Sequence, residues 1–137
     1  MNLQQAILKI FTAEQIAIII GKDSNAYEVM LNSGDEDIYQ FILDNREEFT
    51  FFVFALSNPA CPESILRKTF ELNVLTYWNN IARNPKFTED LMKKMLEKNS
   101  DKSVVNAIYY NPNCSFKKEM KDKYWRIIEH RGGVYCD

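Results

Sequence analysis

Apolar residues recur at the same distances before each of three Asn-Pro pairs. The pairs begin at Asn58, Asn84 and Asn111, so they stand 26 and 27 residues apart. Seven positions before these asparagines stand Phe51, Tyr77 and Val104. Three positions before them stand Ala55, Ile81 and Ile108, and two positions before them stand Leu56, Ala82 and Tyr109. Such spacing places side chains on one face of a short helix. Because proline excludes its preceding residue from the α region, each Asn is predicted to end a helix.

A second helix is predicted after each Asn-Pro pair. In the middle copy Thr88 is a favourable N-cap, with acidic residues following in the first turn. In the first copy Pro62 suits the first helical position. In the third copy Ser115 is the predicted cap, and the helix runs to a left-handed turn at Gly132. The inward faces of these helices comprise Ile65, Leu66, Thr69 and Phe70; Leu91, Met92, Met95 and Leu96; and Met120, Tyr124, Trp125 and Ile128.

A weaker copy of the pattern lies upstream, in residues 27–50. There Met30 and Leu31 match the apolar positions, and Ser33-Gly34 stands where the later copies have Asn-Pro. The cluster of acids at 35–37 lacks the spaced oxygens of a calcium loop, so we interpret it as a helix start favoured by the dipole. The predicted helix spans 37–45 and buries Ile38, Phe41 and Ile42.

The repeats predict an all-α protein, a short helical-repeat solenoid of about 3–4 repeats of 25–27 residues. The predicted single domain, 1–137, divides into a capping helix at 2–20, the degenerate repeat at 27–50, Asn-Pro repeats at 51–76, 77–103 and 104–131, and a tail at 132–137. Only four glycines occur, which argues against a fold with many hairpins. Because charges interrupt the apolar N-terminal stretch, we interpret it as an amphipathic helix rather than a signal peptide or membrane span.

The stretches "FFVFALSNPACPESILRKT" and "YWNNIARNPKFTEDLMKKM" resemble the leucine-rich repeat variant family. The resemblance covers residues 27–125 and implies a right-handed superhelix of alternating short helices. The Thr-Pro that follows Asn-Pro in the family is replaced by Cys61-Pro62, Phe87-Thr88 and Cys114-Ser115. Some family members carry an iron–sulfur cluster on cysteines ahead of the repeats. No cysteine precedes Cys61 in this sequence, so that cofactor is not expected.

The residues that usually carry chemistry are sparse. Three cysteines, Cys61, Cys114 and Cys136, do not form a disulfide framework, and reduced thiols favour a cytoplasmic location. The single histidine, His130, lies near a predicted helix end, where a solvated role fits better than metal ligation. The sequence also lacks a phosphate loop, a nucleophile elbow and a zincin motif. We therefore expect no cofactor, no metal and no enzymatic activity.

Aromatic residues recur once per predicted layer. One interpretation is that they fill the core between short helices. However, neighbouring residues on one helix cannot all point inward, so some are expected at the surface. Exposed aromatics in a row suit protein contacts or base stacking. We therefore predict a non-catalytic protein–protein interaction module, an adaptor, inhibitor or assembly subunit, whose partner-binding residues are Phe52, Tyr77, Trp78, Tyr109 and Tyr110.

The charge distribution supplies the alternative function. Residues 1–50 carry three basic against nine acidic side chains, whereas residues 51–137 carry 14 against ten. This asymmetry can reflect an internal charge separation without a ligand, or a half that binds polyanions. In the second case the chain would be a nucleic-acid-binding helical-repeat protein, with polyanion contacts at Arg83, Lys86, Lys117, Lys118 and Lys121.

Overall fold

A computed structural model describes residues 16, 24–49 and 52–129. This part of the chain forms eight helices and no strand, which confirms the all-α prediction. The helices are α1 (Ser24–Asn32), α2 (Glu36–Asp44), α3 (Phe52–Ser57), α4 (Glu63–Glu71), α5 (Leu75–Arg83), α6 (Glu89–Lys98), α7 (Lys102–Tyr109) and α8 (Lys117–Lys123). The predicted capping helix 2–20, of which only the buried, helical Ile16 is described, and the tail 132–137 lie outside the described residues, as do His130 and Cys136.

Helices at equivalent places in the sequence pattern pack against each other. The helices that precede the Asn-Pro pairs, α3, α5 and α7, form one row in which α5 contacts both neighbours. Outside this row, α2 packs on α4, while α4 contacts α5 and α6 contacts α7. Because each of these helices has only six to ten residues, packing rather than intrinsic helix propensity must stabilise them.

Most positions that the apolar spacing predicts to be buried lie in the core. The residues three and two positions before each Asn are all buried, as are Val104 and most of the predicted inward faces of the second helices. Phe51 lies outside the described residues, and Tyr77 and Leu96 pack against the core from its edge. The alternation of buried and exposed residues therefore follows the helical period that the sequence predicts.

The asparagines of the Asn-Pro pairs connect neighbouring copies through their side-chain amides. Asn84 Nδ2 donates to the main-chain oxygens of Leu56 (2.7 Å) and Asn58 (2.8 Å). One copy later, Asn111 Nδ2 donates to the oxygens of Ala82 (2.6 Å) and Asn84 (2.8 Å). These four acceptors are the equivalent carbonyls of the preceding copy, so the same pair of bonds is formed twice.

The amide oxygens of these asparagines act within their own turns. Asn58, Asn84 and Asn111 each accept, through Oδ1, from the backbone N–H two residues later, at 2.8–2.9 Å. Ser33 Oγ accepts from the N–H of Asp35 in the same way, at 3.2 Å. The turn after α1 therefore has the local bond of the Asn-Pro turns, although it lacks their sequence.

The helix of the degenerate copy, Glu36–Asp44, is displaced by one residue at each end from the predicted 37–45. It begins at Glu36 rather than Asp37, because the side chain of Asp35 caps it by accepting from the N–H of Ile38 at 3.1 Å. Ile38 and Ile42 are buried as predicted, but Phe41 is half-buried, and Tyr39 and Leu43 complete the inward face. Gly34 has a φ of +63°, which explains glycine at this turn.

Two of the predicted starts of second helices are corrected. Pro62 is the N-cap of α4 rather than its first helical residue. Ser115 does not cap α8, since the N-cap is Phe116; Ser115 instead bonds the Glu89 carboxylate through its side chain and through its N–H, the latter at 2.8 Å. Thr88 is the N-cap of α6 as predicted, although its hydroxyl bonds the Asp90 carboxylate rather than a backbone N–H.

Helix α8, which follows the third Asn-Pro pair, is also shorter than predicted. It ends at Lys123, and a turn begins in which Ile127 N–H bonds the oxygen of Tyr124 at 2.9 Å. Ile128 reaches the core through this turn, whereas Trp125, expected on the inward face, is 58% exposed. Beyond Lys123 the chain is held by the burial of Ile128 and by hydrogen bonds between the main chain of residues 127–129 and the side chain of Asn106 on α7.

Replacing Asn84 with leucine should destabilise the fold more than replacing Asn58. Asn84 is fully buried, and the change removes three hydrogen bonds; the Leu56 oxygen loses its donor, whereas the Asn58 oxygen keeps its bond from the N–H of Cys61. We expect a loss of about 3 kcal/mol in the free energy of unfolding. Asn58→Leu, the matched control, removes a bond to the exposed side chain of Asn32 and one local turn bond, and should cost about 1 kcal/mol.

Urea denaturation of both variants measures this difference from the midpoints, provided the slope of the transition is unchanged. Equal losses would show that the amide bonds between copies contribute nothing beyond the local turn.

Candidate functional site

The row of α3, α5 and α7 presents a second set of equivalent positions on the side opposite the core. Five positions before each Asn stand Val53, Asn79 and Asn106, and one position before stand Ser57, Arg83 and Tyr110. These positions fall between the buried ones at the helical period, so they point away from the second helices. We call this surface the outer face. Because the amide bonds keep the three helices in register, equivalent side chains lie in line across it.

A cavity of about 360 Å³ opens on the outer face between α5 and α7. Arg83 lines it from α5, and Asn106, Ala107, Tyr110 and Asn111 line it from α7 and the following turn. Arg83 comes from the predicted polyanion contacts and Tyr110 from the predicted partner-binding residues. The structure therefore brings together one residue from each set in the same depression.

Asn106 binds the main chain of a distant segment at this face. Its Nδ2 donates to the oxygens of Lys102 (2.8 Å) and Ile127 (3.1 Å), and its Oδ1 accepts from the N–H of Glu129 at 2.7 Å. The hydroxyl of Tyr110 donates to the main-chain oxygen of Glu129. One carboxamide thus recognises both a carbonyl and an amide of the same stretch of backbone, residues 127–129.

Asn79 occupies the equivalent position on α5, but its contacts differ. Its Oδ1 is buried and accepts no hydrogen bond. Neither asparagine is among the residues predicted for the site, although their spacing of 27 residues, equal to that of Asn84 and Asn111, is visible in the sequence. The signal was a repeated polar residue at a position where the first copy has Val53.

Three of the five predicted partner-binding residues lie in the core. Phe52, Trp78 and Tyr109 are only 2–3% exposed, and the Trp78 ring packs against Phe70 with centroids 5.2 Å apart. Tyr77 and Tyr110 are half-buried and make edge contacts to Phe52 and Tyr109, both at 5.0 Å. In each adjacent pair one ring points inward, because consecutive residues on a helix differ in direction by about 100°.

This placement corrects the expected row of exposed aromatics. In this fold the side chains of Phe52, Trp78 and Tyr109 do not reach a partner, so only Tyr77 and Tyr110 retain accessible surface. The exposed large apolar side chains in the described residues are Val29, Phe54, Leu72, Leu75 and Trp125. Of these, Phe54 is 60% exposed; it stands four positions before Asn58, beside Val53 on α3, and extends the outer face there.

The predicted polyanion contacts lie on three different elements. Arg83 is exposed at the end of α5, and Lys86 is exposed in the turn that follows. Lys117, Lys118 and Lys121 belong to α8, where the Lys117 ammonium lies 5.6 Å from the ring centre of Tyr109. Arg83 is thus the one member of this set that lines the outer-face cavity.

A second groove, of about 250 Å³, runs between α6 and α8. Its floor is apolar and its rim carries two lysines and two glutamates; the lining residues are Leu96, Phe116, Met120, Tyr124, Lys93, Glu97, Glu119 and Lys123. The Lys93 ammonium lies 5.1 Å from the ring centre of Phe116, so a cation already covers part of the floor.

The two described cysteines are free, buried thiols. Burial raises the pKa of Cys61 to about 12, and the nearby Lys86 charge opposes this effect only in part. Burial also raises the pKa of Cys114. Within the described ranges, no cluster of three His, Cys, Asp or Glu side chains could hold a metal ion. Nor does any helix in this part of the chain have the length and apolar character needed to cross a membrane.

The raised pKa of Cys61 predicts an unreactive thiol. In a Cys136→Ser background, the native protein should not react with Ellman's reagent at pH 8, because the thiolate is the nucleophile. Denaturation should expose two thiols. The fold favours the protonated Cys61, so its contribution to stability is complete below the unfolded pKa of roughly 8.5 and decreases as pH rises toward 12. Rapid labelling of the native protein would contradict the buried placement.

Comparisons with known proteins give no match from which a function of this site could be inferred. No known family matches this chain, and neither a curated protein nor a solved structure matches it. The resemblance to the leucine-rich repeat variant family therefore stays a prediction that rests on the Asn-Pro repeats.

Proposed function

We propose that this chain is a protein–protein interaction module without catalytic activity, built as a short right-handed solenoid with an N-terminal capping helix. It acts in the cytoplasm as an adaptor, inhibitor or assembly subunit. Solenoids bind through surfaces formed by equivalent positions of successive repeats. The outer face of α3, α5 and α7 is the surface of this kind in the present fold.

The repeated amide bonds support the solenoid architecture. Asn84 and Asn111 each bond the equivalent two carbonyls of the copy before, and the helices of the row contact their neighbours in sequence order. Stacking of this kind propagates one repeat geometry along the chain. It also fixes the spacing of the side chains that a partner would meet.

The observation that carries the proposed function is the main-chain segment bound at Asn106. Residues 127–129 lie on α7 and are held through the backbone by the carboxamide of Asn106 and the hydroxyl of Tyr110. The adjoining cavity between α5 and α7 offers the same kinds of group, with Arg83 added. A face that binds backbone within the chain has the chemistry to bind the backbone of another protein.

Changing the outer face should abolish partner binding without unfolding the protein. We expect the double variant Phe54→Ser, Arg83→Glu to lose the proteins that the wild-type chain captures in affinity purification from its host. Both side chains are exposed, so the melting temperature should change by less than about 3 °C. Trp78 is left intact, because emptying its buried site would cost about 3–5 kcal/mol and confuse the result.

The matched control is Lys94→Glu, a charge reversal at an exposed position of α6 away from the outer face. It should retain the captured proteins. If both variants retain them, the outer face is not the binding surface. If the captured material is nucleic acid released by raised salt, the chain belongs instead to the nucleic-acid-binding alternative.

A further inference from the structure

Two asparagines at equivalent positions, one buried and one half-buried, differ in their hydrogen bonds. Asn106 on α7 is 5% exposed, and both ends of its carboxamide bond the main chain of residues 127–129. Asn79 on α5 keeps its Oδ1 away from water and without a donor. A buried acceptor without a donor destabilises a folded protein, so such an atom calls for a physical explanation.

The contacts of Asn106 indicate what the position on α5 lacks. Its amide bonds the carbonyl of residue 127 and the N–H of residue 129. A partner held in this way must have main-chain groups that are not already used in helical bonds, as in an extended segment. Asn79 Oδ1 lacks a hydrogen-bond donor. A backbone N–H of a partner can supply one, whatever side chain that residue carries.

Arg83 adds a charge preference to the same place. It follows Asn79 by one helical turn, so the two side chains share a face of α5. Arg83 is exposed, lines the cavity between α5 and α7, and forms no ion pair with a carboxylate of the described residues. The carboxylate of Glu129, whose main chain bonds Tyr110 and Asn106 at this cavity, is paired with Lys102 at 3.5 Å. An arginine with its donors open to a polar cavity favours a carboxylate.

We propose that the outer face binds an extended acidic peptide segment of a partner protein, which donates a main-chain N–H to Asn79 Oδ1 and places a carboxylate on Arg83. This inference rests on the proposed function and names its partner class. Neighbouring helices in the row are roughly 8–10 Å apart, and an extended chain rises by about 3.3 Å per residue. About three peptide residues therefore span the distance from α5 to α7.

Binding requires a small local rearrangement. Because Asn79 Oδ1 has no exposed surface in the free protein, the side chains that cover it must move aside when the N–H arrives. Side chains at interfaces often change rotamer in this way while the backbone stays in place.

The test uses the full chain and a displayed library of ten-residue peptides of random sequence. The wild-type protein should select peptides enriched in Asp and Glu. Asn79→Leu should bind the selected peptides at least tenfold more weakly, while its melting temperature stays equal or rises, because the change removes an acceptor that has no donor. A residue with a structural role only would show the opposite pattern, as Asn106→Leu should by losing three hydrogen bonds.

Two further measurements sharpen the assignment. Arg83→Gln should remove the enrichment in acidic residues, whereas the matched charge removal Lys94→Gln on α6 should leave it unchanged. Methylation of the main-chain nitrogens of the best peptide, one at a time, should identify one position at which binding is lost in the wild type but unchanged in Asn79→Leu.

Several results would overturn the inference while leaving the proposed function in place. One is a protein captured from the host that binds Asn79→Leu as tightly as wild type. Another is self-association of the wild type that Asn79→Leu abolishes, because a second copy would then occupy the face. Selection of no peptides, or tight binding of single-stranded RNA that Asn79→Leu retains, would also overturn it. Failure of the outer-face double variant to affect any captured protein would instead remove the outer face as the binding surface of the proposed function.

Discussion

The carboxamide of the asparagine in each Asn-Pro pair is the group on which the rest of this structure depends. An amide has donors at one end and an acceptor at the other, and both ends are used. At Asn84 and Asn111 the oxygen holds the local turn and the nitrogen bonds two carbonyls of the copy before. Those carbonyls lie at helix ends, where no intrahelical donor is available. The asparagines therefore end one helix and position the next with a single side chain.

The short helices of the row explain why this constraint matters. A helix of six to nine residues is unstable alone, so α3, α5 and α7 form only because they pack together. Aromatic residues fill the space between the rows, and Trp78, Phe70 and Tyr109 are core residues for that reason. The same register aligns a second set of side chains on the opposite side of the row. The outer face is thus a consequence of the packing that stabilises the fold.

In the described residues two buried side-chain atoms lack a hydrogen-bond partner, Trp78 Nε1 in the core and Asn79 Oδ1 on the outer face. In the core, Asn84, Asn111 and Thr69 all form hydrogen bonds with the backbone. On the outer face Asn106 is satisfied by the chain itself, and Asn79 has an acceptor without a donor. Retaining such an atom lowers stability, and proteins keep features of this kind where function requires them. The difference between Asn106 and Asn79, rather than the exposed aromatics expected from the sequence, marks α5 and α7 as the helices of the candidate binding surface.

The sequence by itself determined the helical class, the ends of the helices at Asn58 and Asn84 and just before Asn111, and most of the buried positions. These features follow from local rules, because proline restricts its neighbour and the 3.6-residue period separates inward from outward residues. Only the tertiary structure decided which carbonyls the asparagine amides reach, since Asn84 and Leu56 are 28 residues apart. It also decided that α8 stops at Lys123 and that Asn106, but not Asn79, meets a backbone segment. These outcomes depend on distances between segments remote in sequence, which no local pattern of residues encodes.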